Sequence, residues 1–239
     1  MTAMRQLALP FRHAPLFSAA DYLPAESNAE ALAWLARPAS WPGHRLALWG
    51  EEGSGKTHLL HAWAERNAAT LLPGEMVRGL VPLPEGGGVA VDDADAAPEP
   101  TALLHLLNAA AEAGLPVLLA GREPPARWPV PLPDLASRLR ATTAVRLRPP
   151  EETLLRALFA RLLAERQLTV PPALQDWLLP RLPRTGAALR EAAARLDRAA
   201  LASGGRVTRP LAAAVLADMT GEAEDAAPAG ESPEPPALL

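Results

Sequence analysis

The chain has 239 residues, a formal net charge of −4 and no cysteine. That length can bury a substantial core in one domain or two small ones. The charge argues against binding nucleic acid by bulk attraction, and the lack of thiols excludes disulfides and cysteine-ligated zinc or iron–sulfur centres. No run of 18 apolar residues is present, and the N-terminus lacks the basic, apolar and small-residue regions of a secretory signal, so neither a membrane span nor export is expected.

In chain order, Arg45–Trp49 reads as a short buried strand, and residues 57–66 follow with helical apolar spacing through Leu59, Leu60 and Trp63. Further strands are predicted over 75–78, 88–91, 116–120 and 144–147, with helices over 101–113 and 135–140 between them. This alternation predicts an α/β domain, a parallel sheet sandwiched by helices. After Pro149-Pro150 the pattern is helical only. Leu154, Leu155, Leu158, Phe159, Leu162 and Leu163 draw one apolar stripe, and helices fit 173–179, 187–201 and 209–218. The expected organisation is a tail over 1–15, the α/β domain over 16–149, a small all-helical domain over 150–220, and a disordered acidic Pro/Ala tail over 221–239, where periodicity ends. Elsewhere the 27 prolines punctuate the periodic segments.

Of the 23 basic residues all but one are arginine, and the single lysine, Lys56, lies in Gly50-Glu51-Glu52-Gly53-Ser54-Gly55-Lys56-Thr57. This is the G-x-x-x-x-G-K-T phosphate-binding loop in its required setting of strand, loop and helix. Gly50, Gly53 and Gly55 let the backbone curl so that successive N–H groups, Ser54's among them, face an anion at a helix N-terminus. A planar guanidinium is too wide for such a cradle, whereas the compact ammonium of Lys56 reaches β- and γ-phosphates and the Thr57 hydroxyl suits Mg²⁺. ATP or ADP with Mg²⁺ is the expected ligand, and a nucleotide site in a cysteine-free chain favours the cytoplasm.

Downstream, Val89-Ala90-Val91-Asp92-Asp93 is an apolar strand ending in two carboxylates. As a Walker B pattern it gives Asp92 the Mg²⁺, through water, and Asp93 the polarising of an attacking water. A solvated turn is the other reading, since Asp95 and Glu99 follow closely.

With these motifs the chain resembles the DnaA-related AAA+ ATPases over residues 16 to 218. The resemblance includes Lys56-Thr57-His58-Leu59-Leu60, Leu104-His105-Leu106-Leu107-Asn108 and Leu135-Ala136-Ser137-Arg138-Leu139. It implies that His58 continues the nucleotide loop and that the segment holding Leu23 and Asn28 lines an adenine pocket. His105 and Asn108, one helical turn apart, fit a packed surface face as well as a functional one. Arg138 matches the family's arginine finger, which enters a neighbour's nucleotide site and contributes about 10³ to 10⁵ in rate; the other arrangement is a surface pair with Asp134.

DnaA's C-terminal helix-turn-helix domain has no counterpart here, an arrangement similar to the Hda (HdaA) branch of regulators that inactivate DnaA. Gln6-Leu7-Ala8-Leu9-Pro10-Phe11 resembles the motif by which such regulators dock on the β-subunit sliding clamp of DNA polymerase. Leu9 and Phe11 suit an apolar cleft, Gln6 can pair with backbone groups, and Pro10 lowers the ordering cost; a tail packing on its own domain is the alternative. The resemblance therefore implies a clamp-docked adaptor that stimulates hydrolysis of DnaA-bound ATP and prevents re-initiation, with oligomerisation open and no membrane partner. An autonomous AAA+ ATPase such as a helicase loader, or a small P-loop kinase, are the alternatives.

Two departures from the family pattern predict weak turnover by the chain itself. Leu119-Ala120-Gly121 offers no side-chain donor where the first sensor should stand, and Ala187 occupies the register of the second sensor's arginine, with Arg184 and Arg190 out of register. The helical region is rich in arginine (Arg181, Arg184, Arg190, Arg195, Arg198, Arg206, Arg209), which reads as a solvated face or as a contact surface for DnaA or DNA.

Overall fold

The computed structural model describes residues 23–225, with side chains through residue 221. The clamp-motif residues Gln6, Leu7, Leu9, Pro10 and Phe11, together with Ala20 to Tyr22 and residues 226–239, lie outside the described residues. Among the described residues two compact units form, one of residues 23–158 with 184–187 and the other of 159–183 with 188–225.

The first unit is built on a five-stranded parallel sheet in the order β2-β3-β4-β1-β5, with β1 over Arg45–Trp49, β2 over Thr70–Pro73, β3 over Val89–Asp92, β4 over Val117–Gly121 and β5 over Thr143–Arg146. Parallel strands need crossovers, supplied here by α2 (Lys56–Asn67), α3 (Pro100–Glu112) and α4 (Pro133–Arg140); α1 (Ala29–Leu35) precedes the sheet. Because side chains alternate along a strand, the three central strands β3, β4 and β1 each feed two cores, whereas the edge strand β5 buries Val145 on one face only. Ala47, Val89, Val91, Val117 and Leu119 pack with Leu103, Leu106, Leu107, Leu135 and Leu139 of α3 and α4. Leu46, Leu48, Ala90, Leu118, Ala120 and Val145 pack with Leu59, Leu60 and Trp63 of α2 and Ala31 of α1. Both faces are covered, which is why these strands read as nearly continuous apolar runs.

One strand differs from its expected place. The predicted strand over 75–78 is a tight turn over Gly74–Met76 followed by loop, and β2 lies earlier, at Thr70–Pro73. Ala68 ends α2 in a left-handed conformation, and the chain enters the sheet at once, Thr70 opposite Val89 and Pro73 opposite Asp92. Pro73 is tolerated because β2 is an edge strand. Met76 and Val77 imitated a strand in sequence, yet Met76 is largely exposed and Val77 fills the core from a loop.

The second unit is helical. It holds the second half of α5 (Glu152–Glu165), then α6 (Pro172–Leu178), α7 (Gly186–Ala202) beyond its first two residues, and α8 (Arg209–Asp225), which continues past its predicted end at 218 and into the segment expected as a disordered tail from 221. Several of its arginines are engaged locally. Arg181 and Arg209 lie over the Trp177 ring at 4.6 and 5.1 Å, and Arg195 and Arg198 reach Glu191 at 2.7 and 3.5 Å. No helix among the described residues is long and apolar enough to cross a membrane.

Leu119 is fully buried in the central strand β4. Leu119→Ala is expected to lower unfolding stability by about 2–5 kcal/mol in urea titrations; a loss below about 1 kcal/mol would contradict the packing described.

Candidate nucleotide site

In a parallel sheet the carboxyl ends of all strands open on one edge, where ligands of such folds bind. The P-loop leaves the end of β1 there, held to the neighbouring strand by Gly50 N–H donating to the Gly121 carbonyl at 3.3 Å. Gly55, at φ 100°, is the N-cap of α2, and no side chain caps that helix. A Cβ on Gly55 would point into open space, so the loop has room for an anion in front of the uncapped first-turn N–H groups. Lys56 is 8% exposed, and its Nζ donates to the carbonyls of Gly50 at 2.8 Å and Glu51 at 3.0 Å. Burial pulls its pKa down, and the nearby carboxylates of Asp93, Asp92 and Asp95 oppose that pull.

Those acids stand at the end of β3. As β4 lies between β1 and β3, the two motifs are separated by about 10 Å across the sheet, a gap of the size a phosphate group and its cation fill. Asp92 Oδ1 accepts the Asp93 N–H at 3.2 Å, and Asp93 itself adopts a left-handed conformation, φ 49°, uncommon outside glycine. Burial raises the Asp93 pKa, with Asp92 and Asp95 adding to the rise and Lys56 and Arg122 opposing it.

The donor set fits a magnesium nucleotide. Ser54 Oγ is buried within the loop without a hydrogen-bond partner, Thr57 is exposed at the start of α2, and His58 beside it is half-buried. Among the described residues no group of three or more His, Asp or Glu side chains gathers to hold a metal alone. A cation here would be held through Thr57 and Asp92 together with phosphate oxygens.

Leu23 and Asn28 share one loop. Asn28 is buried, donating from Nδ2 to the Leu23 carbonyl at 3.0 Å and accepting the Ala25 N–H on Oδ1 at 2.9 Å. Its amide therefore shapes the loop. Glu151, which accepts the Glu26 N–H at 3.0 Å, ties this loop to the segment after β5, and its bond to the Ser27 side chain is the main cause of its lowered pKa.

Three residues of this edge escaped the sequence reading as site residues. Asp95 accepts the Arg122 N–H on Oδ2 at 2.8 Å, and Arg122 reaches Glu52 of the P-loop at 3.7 Å, so a basic side chain stands just past the donorless Leu119-Ala120-Gly121. Arg122 could have been found from its position after the strand that separates the two motifs. Thr185 could not: the start of α7 brings it against Gly53, where an added Cβ would strike its Cγ2. Ala187, in the second sensor's register, is exposed.

Arg138 is not at this edge. It lies near the C-terminal end of α4, where Thr142 Oγ1 donates to its carbonyl at 2.9 Å just before β5 begins. Its Nε donates to Asn108 Oδ1 at 2.6 Å, a partner other than Asp134. Its charge also acts on Arg45, the first residue of β1. Arg138 thus sits at the amino ends of the strands, about 13 Å of strand away from its own P-loop.

No protein-family model matches the chain. Its structure is similar to domain III of the replication initiation protein DnaA from Thermotoga maritima, with TM-score 0.70, 18% identity, and coverage of 85% of this chain and 97% of that one. It is also similar to AMPPCP-bound DnaA from Aquifex aeolicus (TM-score 0.57, 16% identity), covering 72% of this chain but only 62% of that one. A single-site variant of RuvB from Thermotoga maritima gives TM-score 0.63 at 17% identity, covering 84% and 72%. The chain has the AAA+ P-loop fold.

Two outcomes are expected. Lys56→Ala should weaken binding of a fluorescent adenine nucleotide at least about tenfold, the loss of one charge-assisted contact. Asp93→Asn should raise the melting temperature at neutral pH. A carboxyl whose pKa is raised by folding costs stability once pH exceeds that value, and the cost fades as pH falls toward the unfolded one. An equal effect at neutral and acid pH would contradict the assignment.

Proposed function

We propose that the chain is an Hda-like regulator of replication initiation, a nucleotide-bound AAA+ adaptor that offers Arg138 to ATP held by DnaA and accelerates its hydrolysis. The observation that carries this reading is the placement of Arg138 at the sheet edge opposite its own P-loop. From there its guanidinium is out of reach of phosphates bound at Lys56 and suited to those of an abutting subunit, where neutralising charge on the transferring phosphoryl is its chemistry.

The chain's own site is read as a holding site for ADP or ATP with Mg²⁺. The P-loop amides and Lys56 bind phosphate, Thr57 and Asp92 favour the cation, and Leu23 and Asn28 form the loop expected beside the base. No side-chain donor stands at the end of β4 to orient a water, so Asp93 would work without that help and turnover would be slow. Docking on the sliding clamp rests on the sequence of residues 6 to 11, and a cytoplasmic location accords with these partners.

The test is hydrolysis of DnaA-bound ATP by the full chain with DNA-loaded clamp. Stimulation is expected from the wild type, with a loss of about 10³-fold in Arg138→Ala and a strong loss on removing residues 1 to 12. No stimulation by the wild type would sink the adaptor reading. Rapid turnover by the isolated chain, abolished in Asp93→Ala, would favour an autonomous ATPase instead.

A further inference from the structure

Arg45 opens β1, at the same sheet edge as Arg138. The two are brought together by the sheet itself: Leu46, the next residue of β1, is paired with Thr143, and Thr142 is bonded to the Arg138 carbonyl. Arg45 is half-buried, and its guanidinium packs against the Pro42-Gly43-His44 turn so closely that a Cβ on Gly43 would lie 2.9 Å from one terminal nitrogen. Its Nε is shielded from solvent and donates to no acceptor. Burial first, and then Arg138, push its pKa below the usual arginine value, though not to neutrality.

Two guanidiniums therefore share one edge, and among the described residues neither has a carboxylate partner; the acceptor on Arg138 is the neutral amide of Asn108. A pair of like charges held together without an anion costs stability. A doubly charged anion bound between them would remove that cost, and the fork of each guanidinium matches phosphate oxygens in geometry.

We propose that Arg45 is a second phosphate-binding arginine, forming with the Asn108-held Arg138 a two-guanidinium clamp on the terminal phosphate of a nucleotide carried by an abutting AAA+ subunit. The proposal rests on the trans role of Arg138 given above. Terminal phosphate is favoured over a partner's carboxylate because its charge approaches that of two guanidiniums, whereas a carboxylate satisfies one.

The experiment is single-turnover hydrolysis of DnaA-bound ATP with DNA-loaded clamp, titrated with full-length wild type, Arg45→Met, Arg45→Lys and Arg138→Ala. Arg45→Met is expected to lower the maximal rate at least about tenfold while leaving the half-saturating concentration nearly unchanged. Arg45→Lys, which keeps the charge but not the fork, should fall between. Binding of a fluorescent nucleotide at the chain's own P-loop, on the other edge, should be unaltered and reports an intact fold; should Arg45→Met fail that check, Arg45→Lys decides. An unchanged maximal rate overturns the proposal. A change confined to the half-saturating concentration overturns it too, since that identifies a docking contact with a partner carboxylate. If the wild type itself gives no stimulation, the underlying adaptor reading fails and the clamp with it.

Discussion

All five strands run in the same direction, and this polarity divides the chemistry of the molecule between two edges. At the carboxyl edge the chain turns out of β1, β3 and β4 into the P-loop, the paired acids and Arg122. At the amino edge it enters β1 and β5 past Arg45 and Arg138. A side chain at one edge is separated from the other by the length of a strand whose residues are buried on both faces, and no rotamer change crosses that distance. The role proposed for Arg138 follows from its edge as much as from its type.

The carboxyl edge is equipped to hold phosphate more than to break its bonds. Lys56, Gly55 and the uncapped start of α2 provide charge and amide donors where a phosphate would lie. Beyond β4 the backbone ends in glycine, Asp95 is occupied with the Arg122 amide, and Thr185 closes against Gly53. This arrangement accords with the proposed role, in which the catalytic contribution is made to a partner's nucleotide.

Much of this was legible in the sequence because it depends on local rules. The P-loop has one lysine at a fixed offset from its glycines, β3 ends in Asp92-Asp93, and four of the five strands lie within a residue of where their apolar runs placed them. The fifth was misplaced because Thr70-Leu71-Leu72-Pro73 directly follows a helix and ends in proline, so only pairing with Val89 to Asp92 identifies it as a strand. Thr185 and Arg45 were beyond reach for a related reason. Thr185 meets Gly53 across more than a hundred residues, and Arg45, one of many arginines, gains meaning only from the strand order that sets β1 beside β5.

The central claim, that Arg138 serves a nucleotide other than its own, has a direct measurement. The chain contains no cysteine, so Arg138→Cys accepts a single spin label, and Mn²⁺ bound with ADP at the P-loop gives a second paramagnetic centre. In the isolated chain the label is expected to lie farther than about 15 Å from that ion, a strand length plus the linker. In the complex with DnaA carrying Mn²⁺-nucleotide it should approach DnaA's ion to well under that distance. A label close to the chain's own ion, or remote from DnaA's in a complex whose assembly is verified by co-elution of the two proteins, would contradict the account.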